Sequence, residues 1–340
     1  MYRKIMGFLE AWKENEHRKP LILQGARQVG KTYSILEFGR IHYENVAYFN
    51  FETNPKLNET FEEKISPDYL IPILSHIAGQ TIVKEKTLIV FDEVQLCERA
   101  LTSLKYFCED APDYHIIVAG SLLGVAVNRA KFSFPVGKVD MKTLYPMDME
   151  EFMIAVGEDE LVEQIKKCFE TNRPMPSALH DAAMQLYRQY LVVGGMPECV
   201  MQFVQTGDYI LIRHTQDTIL TSYLNDMSKY NNLNEIKKTR LAYDNITVQL
   251  SKKNTRFQYK LIKKGGRASE FENAIEWLCL SGIVSQVYRV EQIKKPLENY
   301  RDIDAFKIYV SDLGLLCAKK DLAANDILYM VAVSYTHLRA

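Results

Sequence analysis

The sequence contains no apolar run approaching the roughly 18–20 residues that a membrane-crossing helix needs, which argues against a helical membrane protein. Its opening residues, Met1-Tyr2-Arg3-Lys4, lead into no apolar segment of the secretory kind. The six cysteines (97, 108, 168, 199, 279 and 317) are scattered, with no C-x-x-C pair and no His/Cys zinc spacing. That pattern excludes a disulfide framework and a zinc ribbon, and predicts buried thiols in a reducing cytoplasm. Charge of one sign is also missing: 42 Lys/Arg against 43 Asp/Glu give a formal net charge of −1. A polyanionic partner would therefore have to be met by a local cluster rather than by the whole field of the protein. There is no internal repeat and no low-complexity tract. What remains, 47% hydrophobic and 25% charged over 340 residues, is the composition of an ordinary globular chain of two or three domains.

Against that plain background one octapeptide stands out. Gly25-Ala26-Arg27-Gln28-Val29-Gly30-Lys31-Thr32 fits the phosphate-loop pattern G-x-x-x-x-G-K-[ST] without mismatch. Leu21-Ile22-Leu23 before it reads as a short buried strand, and Thr32 to Phe38 after it as the start of a helix. That is the context the motif requires. Gly25 and Gly30 permit a tight turn that aims backbone N–H groups at phosphate oxygens, and the helix start adds its positive end. Lys31 supplies a point charge for the β- and γ-phosphates of ATP, and the Thr32 hydroxyl a ligand for Mg²⁺.

A second motif, Leu88-Ile89-Val90-Phe91-Asp92-Glu93, follows with Asp92 61 residues after Lys31. Four apolar residues predict a strand buried on both faces, with two carboxylates at the C-terminal end, where open α/β sheets place their ligands. Asp92 is the candidate second holder of Mg²⁺ and Glu93 the candidate base that orients and polarises the attacking water. A third buried run, His115 to Ala119, ends at Gly120-Ser121, and Ser121 is the candidate sensor of the γ-phosphate.

Along the chain, strands are predicted near 20–24, 46–51, 87–91, 115–120 and 136–141. They alternate with helical patterns, as in a parallel α/β sheet spanning residues 1–145. Residues 146–230 are helical in pattern, closed in part by the stop signal Gly194-Gly195-Met196-Pro197-Glu198, and read as a lid domain. From Lys229 to Arg267 eleven Lys/Arg face only Glu235 and Asp244. Helices near 240–250, 257–264 and 269–281, then strands at 283–290 and 306–310, predict a winged helix over 231–330. Within it Asn254, Arg256, Lys260, Lys263, Lys264 and Arg267 are candidates for phosphate contacts on DNA. A solvated basic face on a protein-binding module is the plainer alternative.

These residues together resemble the bacterial and archaeal AAA-type ATP-binding proteins that join a P-loop domain to a C-terminal domain of unknown function. The match is carried by Gly25–Thr32, Phe91-Asp92-Glu93-Val94-Gln95, Ala119-Gly120-Ser121 and Gly194–Glu198. Tyr145-Pro146-Met147 with Glu151-Phe152 adds to it. The resemblance implies an AAA-like parallel sheet, a helical lid and a winged helix, with ATP and Mg²⁺ as cofactors. It also implies a following nuclease-like domain that this chain stops short of. Residues 331–340 do not continue the pattern and read as a non-native tail. Lys138 stands where relatives carry an arginine, leaving Arg99 and Arg129 as candidates for an arginine finger. The expected function is Mg-dependent ATP hydrolysis coupled to lid and winged-helix movement. The alternatives are a nucleotide-gated DNA- or protein-binding switch that barely hydrolyses, acting as a homo-oligomer or with a partner, and a DNA-binding regulator with a degenerate site.

Overall fold

A computed structural model describes residues 1–120, 134–229, 233–252 and 256–329. It divides the chain into two compact units, Arg3–Tyr145 and Pro146–Ala340, with Met1–Tyr2 counted in the second.

The first unit is a five-stranded parallel sheet in the order β2-β3-β4-β1-β5. Its strands are β1 (Leu21–Gln24), β2 (Asn45–Asn50), β3 (Thr87–Asp92), β4 (His115–Gly120) and β5 (Asp140–Thr143). The connections carry α2 (Lys31–His42), α3 (Leu57–Glu63), α4 (Pro67–Ala78) and α5 (Glu98–Asp110), preceded by α1 (Ile5–Glu14). β3 and β4 are buried along their whole length, as a strand flanked by two others and covered on both faces requires. Phe51, Phe61 and Phe91 meet at ring separations of 5.7–5.8 Å, tilted or edge-on, and anchor the core beside the β2–β3 side of the sheet.

The last strand of this sheet lies later than its apolar pattern predicts. Residues 136–138 form a turn instead: Gly137 has φ +73°, Lys138 N–H donates to Pro135 O at 3.0 Å, and Val136 is 81% exposed. The proline supplies a turn and the glycine its left-handed position, which overrides the local apolar signal.

The second unit begins with α6 (Met149–Ala155), whose N-terminus is a full capping box. Asp148 accepts from Glu151 N–H, and Glu151 accepts in return from Asp148 N–H. There follow α7 (Asp159–Glu170), α8 (Ser177–Val193), α9 (Pro197–Thr206), α10 (Tyr209–Lys229) and α11 (Leu233–Leu250). Then come α12 (Ala268–Leu280), an antiparallel pair β6 (Val284–Val290) and β7 (Arg301–Val310), and the short helices α13 (Leu313–Lys319) and α14 (Ala324–Leu328). The helix expected over 257–264 is only a single 3-10 turn at Tyr259–Leu261. Phe257 N–H is drawn to Phe306 O at 2.9 Å, and Gly265, at φ +78°, breaks the other end. Among the described residues no helix is long and apolar enough to cross a membrane.

His115, the first residue of β4, is buried between Trp12 and Tyr43, with Nδ1 2.7 Å from the Tyr43 hydroxyl. Burial, helped by Arg18 and Lys13, lowers its pKa to about 4. The folded value lies below the unfolded one of about 6.5, so the unfolded chain binds the extra proton in the window between them. Stability is therefore fully present above pH 6.5 and falls as pH drops through that window, by up to about 3 kcal/mol from this residue. Urea unfolding of His115→Gln should show a shallower loss between pH 6.5 and 4 than the parent. An identical slope would show that His115 is not the group responsible.

Candidate active site

The loop between β1 and α2 is built by backbone demands. Gly25 has φ +146°, and a Cβ there would lie 2.1 Å from Leu144 O, so the chain passes β5 with no room for a side chain. Gly30, at φ +90°, caps α2 in the left-handed region. Gln28 takes φ +65° and is exposed, whereas Ala26 and Val29 point into the core. The buried Arg3 guanidinium braces the loop from below, donating to Val29 O at 2.9 Å and to Tyr145 O at 2.8 Å. Arg3 carries no motif and was invisible as a supporting residue, since its partners lie 26 and 142 positions away.

Lys31 is buried at the start of α2, and its ammonium donates to Gly25 O at 2.9 Å and Ala26 O at 2.8 Å. Burial lowers its pKa to about 8, against the opposing pull of Glu93 and Asp92. It stays a cation at neutral pH. Strands lie about 4.8 Å apart, so the ends of β1 and β3, with β4 between them, are about 10 Å apart. The first turn of α2 spans that gap: Thr32 Oγ1 donates to Asp92 Oδ2 at 2.8 Å. The Asp92 carboxylate is held twice more, by Glu93 N–H on Oδ1 at 3.0 Å and by the Tyr48 hydroxyl on Oδ2 at 2.8 Å. Tyr48, pushed up to about 12 chiefly by burial, remains a proton donor throughout the physiological range.

Glu93 has φ +50°, a left-handed backbone that turns β3 sharply into the 3-10 turn Val94–Leu96, and its carboxylate accepts from the Gln95 amide. A hydroxyl and a carboxylate in contact, beside a buried ammonium, form a hard-oxygen donor set with local positive charge. Such a set could hold Mg²⁺, and the ammonium beside it a phosphate group. Sequence reasoning missed Tyr48, which has no local signature, and used Gln95 only as part of the motif that carries the family resemblance, without giving its side chain a role.

Ser121 and Arg129 lie outside the described residues, as do Asn254 and residues 331–340. Arg99, in the first turn of α5, donates to Phe61 O. Lys138 pairs with Glu109 at 2.9 Å. Glu52 sits in the turn after β2, its N–H on Asn50 Oδ1 at 2.9 Å. Trp12 packs against His115 and donates to Lys19 O at 2.9 Å, a place in the core.

In the second unit the basic segment is partly neutralised from within. Lys238 meets Glu235 at 2.8 Å and Lys263 meets Glu270 at 3.2 Å, while Arg256 donates to Asp304 O at 2.9 Å. The Gly194–Glu198 stretch is a packing junction. Gly195 lies so close to the segment leading into α6 that a Cβ would be 1.9 Å from Met147 O, and its N–H donates to the buried Asp312 carboxylate at 2.6 Å. Asp312 also accepts from Leu315 N–H at 2.8 Å. Burial raises its pKa while the backbone donors of Gly195, Leu315 and Gly314 pull it back down.

Residues 17–153 match a family described as AAA domain, and residues 184–326 match a Domain of unknown function (DUF8612). No curated protein matches the chain. Among solved structures, the Walker-type ATPase of Pyrococcus abyssi is similar at 14% identity and a TM-score of 0.56, over 94% of this chain and 95% of that one. The ORC2 protein of Aeropyrum pernix, solved as ADPNP–ADP complexes, is similar at 11% identity and a TM-score of 0.45, over 96% of this chain and 94% of that one. The RuvB Holliday junction branch migration motor of Thermotoga maritima is similar at 14% identity and a TM-score of 0.36, over 83% of this chain and 87% of that one. The parallel sheet with its glycine loop is the α/β P-loop fold.

Gly25→Ala tests the loop as built. A methyl at φ +146° facing Leu144 O forces β1 and β5 apart, which should cost about 2–3 kcal/mol in urea unfolding and distort the loop. Stability equal to the parent would show that the close approach is not required.

Proposed function

We propose that this AAA-type protein, in which a P-loop domain is joined to a C-terminal domain of unknown function, binds Mg·ATP at the loop Gly25–Thr32 and hydrolyses it to ADP and phosphate. The observation that carries the reading is the 2.8 Å contact between Thr32 Oγ1 and Asp92 Oδ2, with the buried Lys31 ammonium alongside. The backbone from Gly25 through Ala26, Arg27, Gln28 and Val29 to Gly30 would cradle the phosphates, aided by the positive end of the twelve-residue α2. Lys31 would release its two carbonyl partners and turn to the β- and γ-phosphates. Thr32 and Asp92 would hold Mg²⁺, which when bound neutralises charge building on the phosphates. Glu93 would take the proton of the water that attacks the γ-phosphorus as the bond to the β–γ bridging oxygen breaks. Ser121 would sense the γ-phosphate. Nucleotide state would then move a helical lid over 146–230 and a winged helix over 231–330, an element order consistent with α11, α12 and the β6–β7 pair.

A second reading, a nucleotide-gated switch for DNA or a protein partner with little hydrolysis of its own, is favoured by one contact. The Gln95 amide already engages the Glu93 carboxylate, the group the reaction would use as base. In that reading the segment 229–267 meets DNA, and turnover waits for DNA or for self-association.

Two substitutions separate the roles. Lys31→Ala should weaken ATP binding about 100-fold, since a buried charged hydrogen-bond donor to phosphate is lost. Glu93→Gln should keep the affinity and lower turnover roughly 10²- to 10⁴-fold, the usual contribution of a positioned base. Unchanged affinity in the first would overturn the phosphate-loop assignment. Parental turnover in the second would move the base elsewhere.

A further inference from the structure

β2 is an edge strand of the sheet, and Tyr48 is the residue on it that reaches the acidic pair. Its neighbours Ala47 and Phe49 face the core, while Tyr48 lies on the outer side and is 38% exposed. Packing therefore does not call for an aromatic residue at this position; its hydroxyl has a specific partner. That partner, Asp92 Oδ2, is the same oxygen that accepts from Thr32. Three donors from three places thus fix one carboxylate: the first turn of α2, the edge strand β2, and the Glu93 N–H at the end of β3 itself.

The Tyr48 hydroxyl is in turn held. Asn50 Nδ2 donates to it at 3.1 Å, and Asn50 Oδ1 accepts from Glu52 and Thr53 N–H at 2.9 Å each. A relay runs from the exposed turn after β2, through Asn50 and Tyr48, to the carboxylate that faces Thr32.

We infer that Tyr48 is a positioning residue for the divalent cation: by its bond to Oδ2 it sets the Asp92 carboxylate in the orientation from which, together with Thr32, it takes Mg²⁺. Partners of metal-binding carboxylates act in this way, and their loss commonly lowers metal affinity about 10- to 100-fold. The inference rests on the Mg·ATP reading of the site.

The test separates metal from nucleotide. MgCl₂ is titrated into the full chain at a fixed concentration of a fluorescent ATP analogue, and affinity for the same analogue is measured in EDTA. Tyr48→Phe, which removes one oxygen and keeps the ring, should raise the half-saturating Mg²⁺ concentration about tenfold and leave the EDTA affinity unchanged. Asn50→Ala, one step further along the relay, should shift it the same way by a smaller factor. Equal Mg²⁺ half-saturation in Tyr48→Phe and parent would overturn the inference and leave the Mg·ATP reading standing. So would an equal fall in affinity with and without metal, which would mark Tyr48 as a purely structural residue. A parent chain whose analogue binding does not respond to Mg²⁺ at all would overturn the reading itself, and the inference with it.

Discussion

The first unit depends on bringing two chain ends, those of β1 and β3, to one place across an intervening strand. The parallel order β2-β3-β4-β1-β5 does this by putting the C-terminal ends of all five strands on the same side. Because β4 lies between β1 and β3, their ends cannot touch, and the gap must be spanned by a group on the connecting helix. Thr32 is that group, and its bond to Asp92 ties the glycine loop to the acidic strand end. The other features serve that junction. Gly25 lets the loop pass Leu144 without a clash, Arg3 braces it from beneath, and the left-handed backbone at Glu93 turns the second carboxylate off the strand.

The second unit contains a comparable junction. Asp312 is a buried carboxylate whose desolvation is offset by backbone N–H groups from two separate segments, Gly195 and the start of α13. Gln216 joins the same junction by donating to Val192 O at 2.8 Å and Val193 O at 3.1 Å. Gly194 and Gly195 are glycines because side chains there would collide with Asp312 and Met147 respectively. Two glycines of the Gly194–Glu198 stretch, one of the motifs that carry the family resemblance, thus have a packing reason in this chain.

The parts legible in the sequence were those whose requirements are local. A glycine loop needs glycines at set positions, and a doubly buried strand needs an unbroken apolar run, so Gly25–Thr32, Leu88–Glu93 and the run at His115–Ala119 could be read directly. Distant pairings could not. Nothing near Arg3 announces Tyr145, nothing near Tyr48 announces Asp92, and nothing near Asp312 announces Gly195. Boundaries failed where turn chemistry overrode an apolar pattern, as at Pro135–Lys138, and where a backbone bond to a distant strand replaced a helical one, as at Phe257.

The most direct test of the account is calorimetric titration of ATP into the full chain in the presence of Mg²⁺. The account predicts one saturable site per chain, with affinity that falls when EDTA replaces the metal. A folded protein that takes up no ATP under these conditions would contradict it.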